Sequence, residues 1–311
     1  MMNKIELLEI IKKGEDSFTE FKEEKAHPDD LAARIVAFAN TEGGNLITSR
    51  EQLMRLFEAS KSIYYDELAV PNTSIEDIDL KYVERFIKKS FGCGIGDFGI
   101  RTDDLLKNMK ILTPYERDMV TTIGGLLFFG KHPEYQFPYC KITIVRFYGN
   151  DIGETFDKKD IEGILIEQIE RTERILKDYL RAETKIEGFK KEEPRFEIPI
   201  EALREAVINA IAHRNYQLPS QNRIFIFDNR IEIKSPGKLP NSVTIDNIKL
   251  GFPLHRNPLI VSLLAKEHRM TEIGTGIPRM IRLVKEQTGK EPDFEEREQE
   301  FIIRIWRPDS G

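Results

Sequence analysis

The stretch EAVINAIAHRNY, residues 205–216, constrains this chain more than any other. Glu205, Asn209 and His213 recur at four-residue steps among Ala, Val and Ile. A four-residue step on an α-helix turns the chain by about 400°, so the three polar side chains drift only about 40° per step and share one face. A helix apolar enough for a core therefore carries an acid, an amide and an imidazole in one row. Two readings stand. The row is a solvated stripe or a set of satisfied polar groups at a domain contact, or it is one wall of a site. The second reading needs a partner element. An Asn amide oxygen is a hard ligand suited to Mg²⁺. A Glu one turn earlier can orient or deprotonate a water that attacks a phosphate. The phosphates themselves call for backbone N–H groups at a glycine-bearing helix start.

Such a start is present. EIGTGIPRM places Gly274 and Gly276 directly before a helix, with the Thr275 hydroxyl between them and Arg279 one turn inside. Glycine permits close backbone approach there. Between the two helices, NRIFIFDNRIEIKS reads as two strands around Asp228-Asn229, a hairpin signal. SPGKLP follows and sets Gly237 between two prolines. Each piece alone is an ordinary turn or helix entry, and the signal lies in their order.

The rest of the chain frames this unit. With 311 residues there is room for two domains, or for one large domain with a companion. A net charge of -6 excludes a uniformly basic nucleic-acid coat but not a local patch. Two isolated cysteines, Cys93 and Cys140, make neither a zinc cluster nor a disulfide scaffold, and they favour a reducing cytoplasm. The first residues mix acids with apolar side chains, unlike a signal peptide, and no run of about 18 apolar residues suggests a membrane span. HPDDLAARIVAFAN and DLKYVERFIKK read as helices, YCKITIVRFYG and FIIRIW as strands, and TTIGGLLFFG as a buried apolar segment of either type. Apolar spacing predicts the longest helix over 157–182. Asn257 and Pro258 occupy the N-cap and first-turn positions of a further helix.

Taken together, ALREAVINAIAHRNY, RIEIKSPGKLP, RNPLI and EIGTGIPRM resemble the Bergerat ATP-binding fold shared by gyrase, Hsp90, histidine kinases and MutL. More narrowly they resemble the Schlafen/AlbA-containing family labelled RecG-like among transcriptional regulators. DSFTEFK followed by IVAFANTEGG resembles the AlbA-like domain of that family, and TIGGLLFFGKHP its middle segment, so the resemblance spans essentially the whole chain. It implies an α/β (α+β) protein in three parts. Residues 1–60 are a shortened AlbA-like unit, 61–114 a helical connector, and 115–311 the middle segment with a Bergerat-like sandwich whose motifs lie in 199–306. It implies Glu205 as the water-activating acid and Asn209 as the Mg²⁺ ligand. Gly237 falls in the first glycine box, and Gly274, Thr275 and Gly276 in the phosphate-binding second box. His213 and Arg214 match the family's His-Arg pair.

This sequence departs from the pattern in three places. Ser235 stands where Bergerat ATPases carry an Asp that accepts from the adenine amine. A hydroxyl is the weaker acceptor by about 1 kcal/mol. Asn215 replaces the Asp usual after His-Arg. At residues 46–50 the AlbA-like unit lacks several strands that normally follow GGNL. Glu15, Glu20 and Lys22 match the E-x4-E-x-K pattern of a nuclease site in some Schlafen proteins. A charged strand face is the simpler account, because the third acid falls in the shortened segment. No P-loop occurs, so a helicase motor is rejected.

The expectation is therefore a cytoplasmic regulator that binds ATP with Mg²⁺ and associates with DNA, with slow or no hydrolysis. A homo-oligomer is expected from the open strand edge of the shortened unit. Two rivals remain: a scaffold whose nucleotide site has decayed, and a nucleic-acid-processing enzyme using the N-terminal acids.

Overall fold

Helix α5 (Ile200–Ala212) is the element around which the described chain is arranged. It follows from composition: four alanines supply the strongest helix formers, and Pro199 suits its entry. Ten of its thirteen residues are buried. Each fully buried Val, Leu or Ile contributes about 1.5–3 kcal/mol, so packing rather than capping holds this helix.

A computed structural model describes residues 19–21, 45–47, 64–183, 186–187, 190–191, 194–240, 243–252, 255–270 and 274–308. The chain divides into two compact units, Met1–Tyr64 and Tyr65–Gly311. In the first, β1 (Thr19–Phe21) pairs in parallel with β2 (Asn45–Ile47), so the short NLI segment is a strand. Glu15, Lys22 and the helix expected over HPDDLAARIVAFAN lie outside the described residues.

The second unit opens with α1 (Leu80–Phe91) and α2 (Thr102–Asn108). The hairpin of β3 (Leu112–Tyr115) and β4 (Asp118–Thr121) follows. The apolar run after it is a helix, α3 (Ile123–Phe129), with every residue buried. Burial on all sides removes the periodic polar positions that would have marked it as helical. β5 (Ile142–Phe147) and β6 (Phe156–Ile161) pair antiparallel. The long helix expected over 157–182 is corrected here. Residues 157–161 belong to β6, and α4 runs only over Leu165–Tyr179. β6 is exposed at five of its six positions and is a sheet edge, so its residues carry none of the alternation that signals a strand. Two short pairs come next, β7 (Ala182–Glu183) with β10 (Arg195–Phe196), and β8 (Ile186–Glu187) with β9 (Lys190–Lys191).

Beyond α5, β11 (Asn222–Ile226) and β12 (Arg230–Pro236) form the expected hairpin. α6 (Ile245–Lys249), α7 (Pro258–Lys266) and α8 (Gly276–Thr288) follow, and β13 (Asp293–Glu296) and β14 (Glu300–Trp306) close the chain. The strands make one six-stranded mixed sheet in the order β13-β14-β12-β11-β5-β6. Every pair is antiparallel except β11 with β5. α5 lies on β12, with α8 and α4 beside it. The fold is α+β, as the motif order implied.

Candidate functional site

The C-terminal end of α5 is pinned by three side chains, one from the loop that directly follows it and two from distant segments. The last carbonyls of a helix lack intrahelical partners. Ala210 O accepts from Ser235 Oγ at 2.9 Å, Ile211 O from Tyr216 Oη at 3.0 Å, and Ala212 O from Asn257 Nδ2 at 2.9 Å. Asn257 Nδ2 also donates to Arg214 O at 2.8 Å. Asn257 sits at the N-cap position of α7, as the sequence indicates, but its side chain makes no cap bond there. Asp66 takes over that role from far upstream, accepting from Ile260 N at 2.9 Å. Burial pushes the Asp66 carboxyl up to about 7. These ties fix the rotation and depth of α5, and hence the direction of its polar row.

The row faces one cleft. Glu205, Asn209, Ala210 and His213 line it from α5, Ile233 and Ser235 from β12, and Gly237 and Lys238 from the turn after β12. Gly274, Gly276 and Ile277 close the far side. Including the solvent space of its open mouth the cleft holds about 950 Å³. Its remaining walls are largely apolar, with Val243, Ile248, Phe301 and Ile303 among them.

Glu205 and the glycine helix start are in direct contact. A Cβ added to Gly276 would lie 1.8 Å from Glu205 Oε1. Asn209 Nδ2 donates both to Glu205 O, at 2.8 Å, and to Glu205 Oε1, at 2.7 Å. Both amide hydrogens are thereby used, and the amide oxygen Oδ1 remains as the group suited to a cation. Arg279 Nη2 stands 3.8 Å from Glu205 Oε2. Burial raises the Glu205 carboxyl above its usual range, while the Asn209 hydrogen bond and the Arg279 charge oppose that rise. A carboxylate held back from solvent in this way is a stronger base than one in water.

The neighbouring glycines follow the same logic. Gly274 (φ +78°) and Gly251 (φ +82°) touch backbone to backbone, and a Cβ on Gly274 would fall 2.0 Å from Gly251 O. Both must be glycine, since a left-handed conformation and a close approach coincide. Gly251 was not singled out by the sequence, because an isolated glycine after a short helix carries no motif. Gly237 (φ +101°) turns the chain out of β12.

Two residues singled out in the sequence do not line the cleft. Arg214 is buried elsewhere. Its guanidinium donates to Leu218 O at 3.4 Å and to Ser220 O, and it lies 5.0 Å from the centroid of the Tyr216 ring. It holds the 214–220 loop in place. Thr275 occupies the N-cap position of α8 without a side-chain cap bond. Sequence reasoning missed Lys238 and His255. His255 stacks on His213 with ring centroids 5.7 Å apart. Burial, followed by the charges of His255 and Arg256, holds the His213 imidazole down at about 3, so it is neutral at ordinary pH.

Comparison with known proteins fits this picture for part of the chain. Residues 220–305 match the family HATPase_c_4, "Putative ATP-dependent DNA helicase recG C-terminal". That stretch, from β11 to β14, is thus ATPase-like. Glu205 and Asn209 lie just outside it. No curated protein matches the chain. Among solved structures, the DIP2311 protein from Corynebacterium diphtheriae superposes with a TM-score of 0.58 at 18% identity, over 82% of this chain and 49% of its own. At that identity the likeness shows the fold alone, and this chain spans about half the length of that protein. Among the described residues no helix is long and apolar enough to cross a membrane. Among the described residues no group of three or more His, Cys, Asp and Glu is arranged to hold a metal.

Proposed function

We propose that the cleft between α5, β12 and α8 binds ATP with Mg²⁺. The observation that carries this reading is the contact between Glu205, Asn209 and Gly276. It brings the acid-amide row and the glycine helix start, 67 or more residues apart in the chain, to one point. The phosphates would lie at the N-terminus of α8, where backbone N–H groups and the helix dipole favour anions. Asn209 Oδ1 is the hard oxygen that fits Mg²⁺, an ion that usually takes only one or two protein ligands and the rest from phosphate and water. The bound ion would neutralise phosphate charge. Glu205 would hold or accept a proton from a water, and Arg279 would steady its second oxygen. Ser235 spends its hydrogen on Ala210 O, so toward a ligand its hydroxyl can only accept. That suits the amine of adenine and not the carbonyl that guanine presents at the same edge.

Under this reading hydrolysis is slow and no motor is present. The ATP-binding sandwich occupies residues 115–311, behind a connector over 61–114 and a shortened AlbA-like unit over 1–60. A role as a DNA-associated regulator rests on the resemblance to RecG-like transcriptional regulators. A cytoplasmic setting is supported by Cys93 and Cys140 being free thiols. One observation favours the rival scaffold reading: Ser235 stands in place of a carboxylate.

Calorimetry with ATP and GTP, with and without Mg²⁺, on the wild type and Asn209→Ala tests the proposal. Asn209→Ala should weaken ATP more in Mg²⁺ than in EDTA, because only the metal contact is lost. Equal weakening in both conditions refutes the role of Asn209, and no binding of either nucleotide refutes the reading and leaves the scaffold.

A further inference from the structure

His213 ends the polar row of α5, about two turns beyond Glu205 and the glycine helix start. A nucleotide whose phosphates lie at the start of α8 places its base at this end. The cleft walls are largely apolar, so a base that fills them takes the remaining polar groups out of water, and each group it covers needs a partner. Two such groups stand side by side. Ser235 Oγ donates to Ala210 O at 2.9 Å. In a longer helix that carbonyl would accept from residue 214, so the hydroxyl lies level with the last turn, next to His213. The His213 backbone is held at both ends: its N–H donates to Asn209 O at 3.0 Å, and its carbonyl accepts from Arg256 Nη1 at 3.3 Å. The ring is stacked on that of His255, with the two planes 24° apart. No described residue hydrogen-bonds the His213 ring. As a neutral imidazole it offers a ligand one N–H donor and one lone pair.

We propose that His213 is a second reader of the base: its ring N–H donates to the ring nitrogen beside the 6-amine of adenine, while Ser235 Oγ accepts from that amine. The inference rests on the nucleotide reading of the same cleft and deepens it. The Ser235 hydroxyl is a fixed acceptor, because its hydrogen is spent on Ala210 O. A donor next to it completes a pair that asks for an amine beside a ring acceptor. Adenine shows that pair at both edges that carry the amine, N1 on one side and N7 on the other. Guanine and hypoxanthine show a carbonyl in place of the amine, which leaves the Ser235 lone pair facing an oxygen. Cytosine carries the matching pair on a smaller ring and is the second-best fit. The stack on His255 fixes the plane in which the His213 N–H points, and Arg256 clips the end of α5 to the turn after β12 by also donating from Nη2 to Lys238 O at 2.7 Å. Both partners of the base are therefore placed before it arrives, which lowers the ordering cost of binding.

The probes are ATP, 1-deaza-ATP and 7-deaza-ATP, titrated with Mg²⁺ into the whole chain by calorimetry. Each analogue replaces one candidate ring acceptor by C–H and keeps the amine and the phosphates. The analogue that removes the acceptor facing His213 should bind the wild type at least about fivefold more weakly than ATP, since it leaves a covered donor without a partner. In His213→Phe, which keeps a ring against His255 and removes the donor, that difference should vanish. A role of His213 in structure alone would weaken all three probes alike and leave their ratios unchanged. Equal affinities for ATP and both analogues in the wild type, or a difference that survives in His213→Phe, overturns the inference and leaves nucleotide binding intact. Should that variant not fold, nitrogen NMR of the wild type labelled at its five histidines decides: ATP must shift a ring nitrogen of His213 and the weaker analogue must not, and a His213 signal unmoved by ATP overturns the assignment. If ATP itself does not bind, the nucleotide reading falls and this inference falls with it.

Discussion

Gly276→Ala isolates the contact on which the site depends. Gly276 is the first residue of α8 and its φ is not positive, so alanine costs nothing in the backbone and gains up to about 1 kcal/mol of helix propensity. The cost arises across the cleft. The new methyl would fall 1.8 Å from Oε1 and 2.5 Å from Cδ of Glu205. Glu205 must then leave its place and break the 2.7 Å bond from Asn209. It is only 7% exposed, so no water stands ready to replace that bond. A hydrogen bond to a charged group contributes about 1.5–3 kcal/mol. After the propensity gain, a net destabilisation of about 1–2 kcal/mol is expected. Glu205→Ala removes the obstacle, so adding Gly276→Ala to that background should be neutral or mildly stabilising. Urea unfolding of the wild type, both single variants and the double variant measures the coupling between the two positions, expected at about 1.5–3 kcal/mol. A coupling below about 0.5 kcal/mol would show that carboxylate and helix start do not touch, and the phosphate site would lose its geometry.

Other expectations are independent of that contact. Glu205→Gln keeps an acceptor for Asn209 and should leave nucleotide binding nearly intact, while lowering any turnover by about 10²-fold or more; full turnover in the variant removes Glu205 from the role of base. Ser235→Ala deletes the acceptor and should lower the ATP-to-GTP affinity ratio by roughly fivefold, the worth of about 1 kcal/mol, and an unchanged ratio means the base does not reach β12. Asp66→Asn should alter the pH dependence of stability. The carboxyl rises from 3.8 to about 7 on folding, so the folded state binds the extra proton, and its contribution is full below 3.8 and lost as pH rises through 7. At 1.36 kcal/mol per pH unit that amounts to about 4 kcal/mol. His213 falls from 6.5 to about 3 and works in the opposite sense, removing stability as pH drops below 6.5. These two slopes cancel between about 4 and 6.5 in the wild type. The Asn variant should show a stability that climbs with pH up to about 6.5 and exceeds the wild type by up to about 4 kcal/mol above pH 8; parallel curves for the two proteins sink the assignment.

The sequence by itself determined the local elements whose period or chemistry is written in consecutive residues. The row of Glu205, Asn209 and His213, the Asp228-Asn229 hairpin and the Gly274–Gly276 helix start were legible because helical spacing and glycine's freedom act over a few residues. It did not determine what has no local period. α3 is buried on every side and β6 is exposed along an edge, so neither shows the contrast between faces that a pattern needs. The partners of single polar groups were equally hidden. Asn257 leaves its own helix to hold the end of α5, and Asp66 caps α7 from 194 positions upstream. His255 and Lys238 joined the cleft only when the turn after β12 and the segment before α7 were brought together. Arg214 stood beside His213 in the motif and yet faces the other way, because once a helix ends the next side chain follows the loop. Those outcomes are set by which surfaces meet when the sheet and helices pack, and contacts across such distances have no spacing along the chain from which to be read.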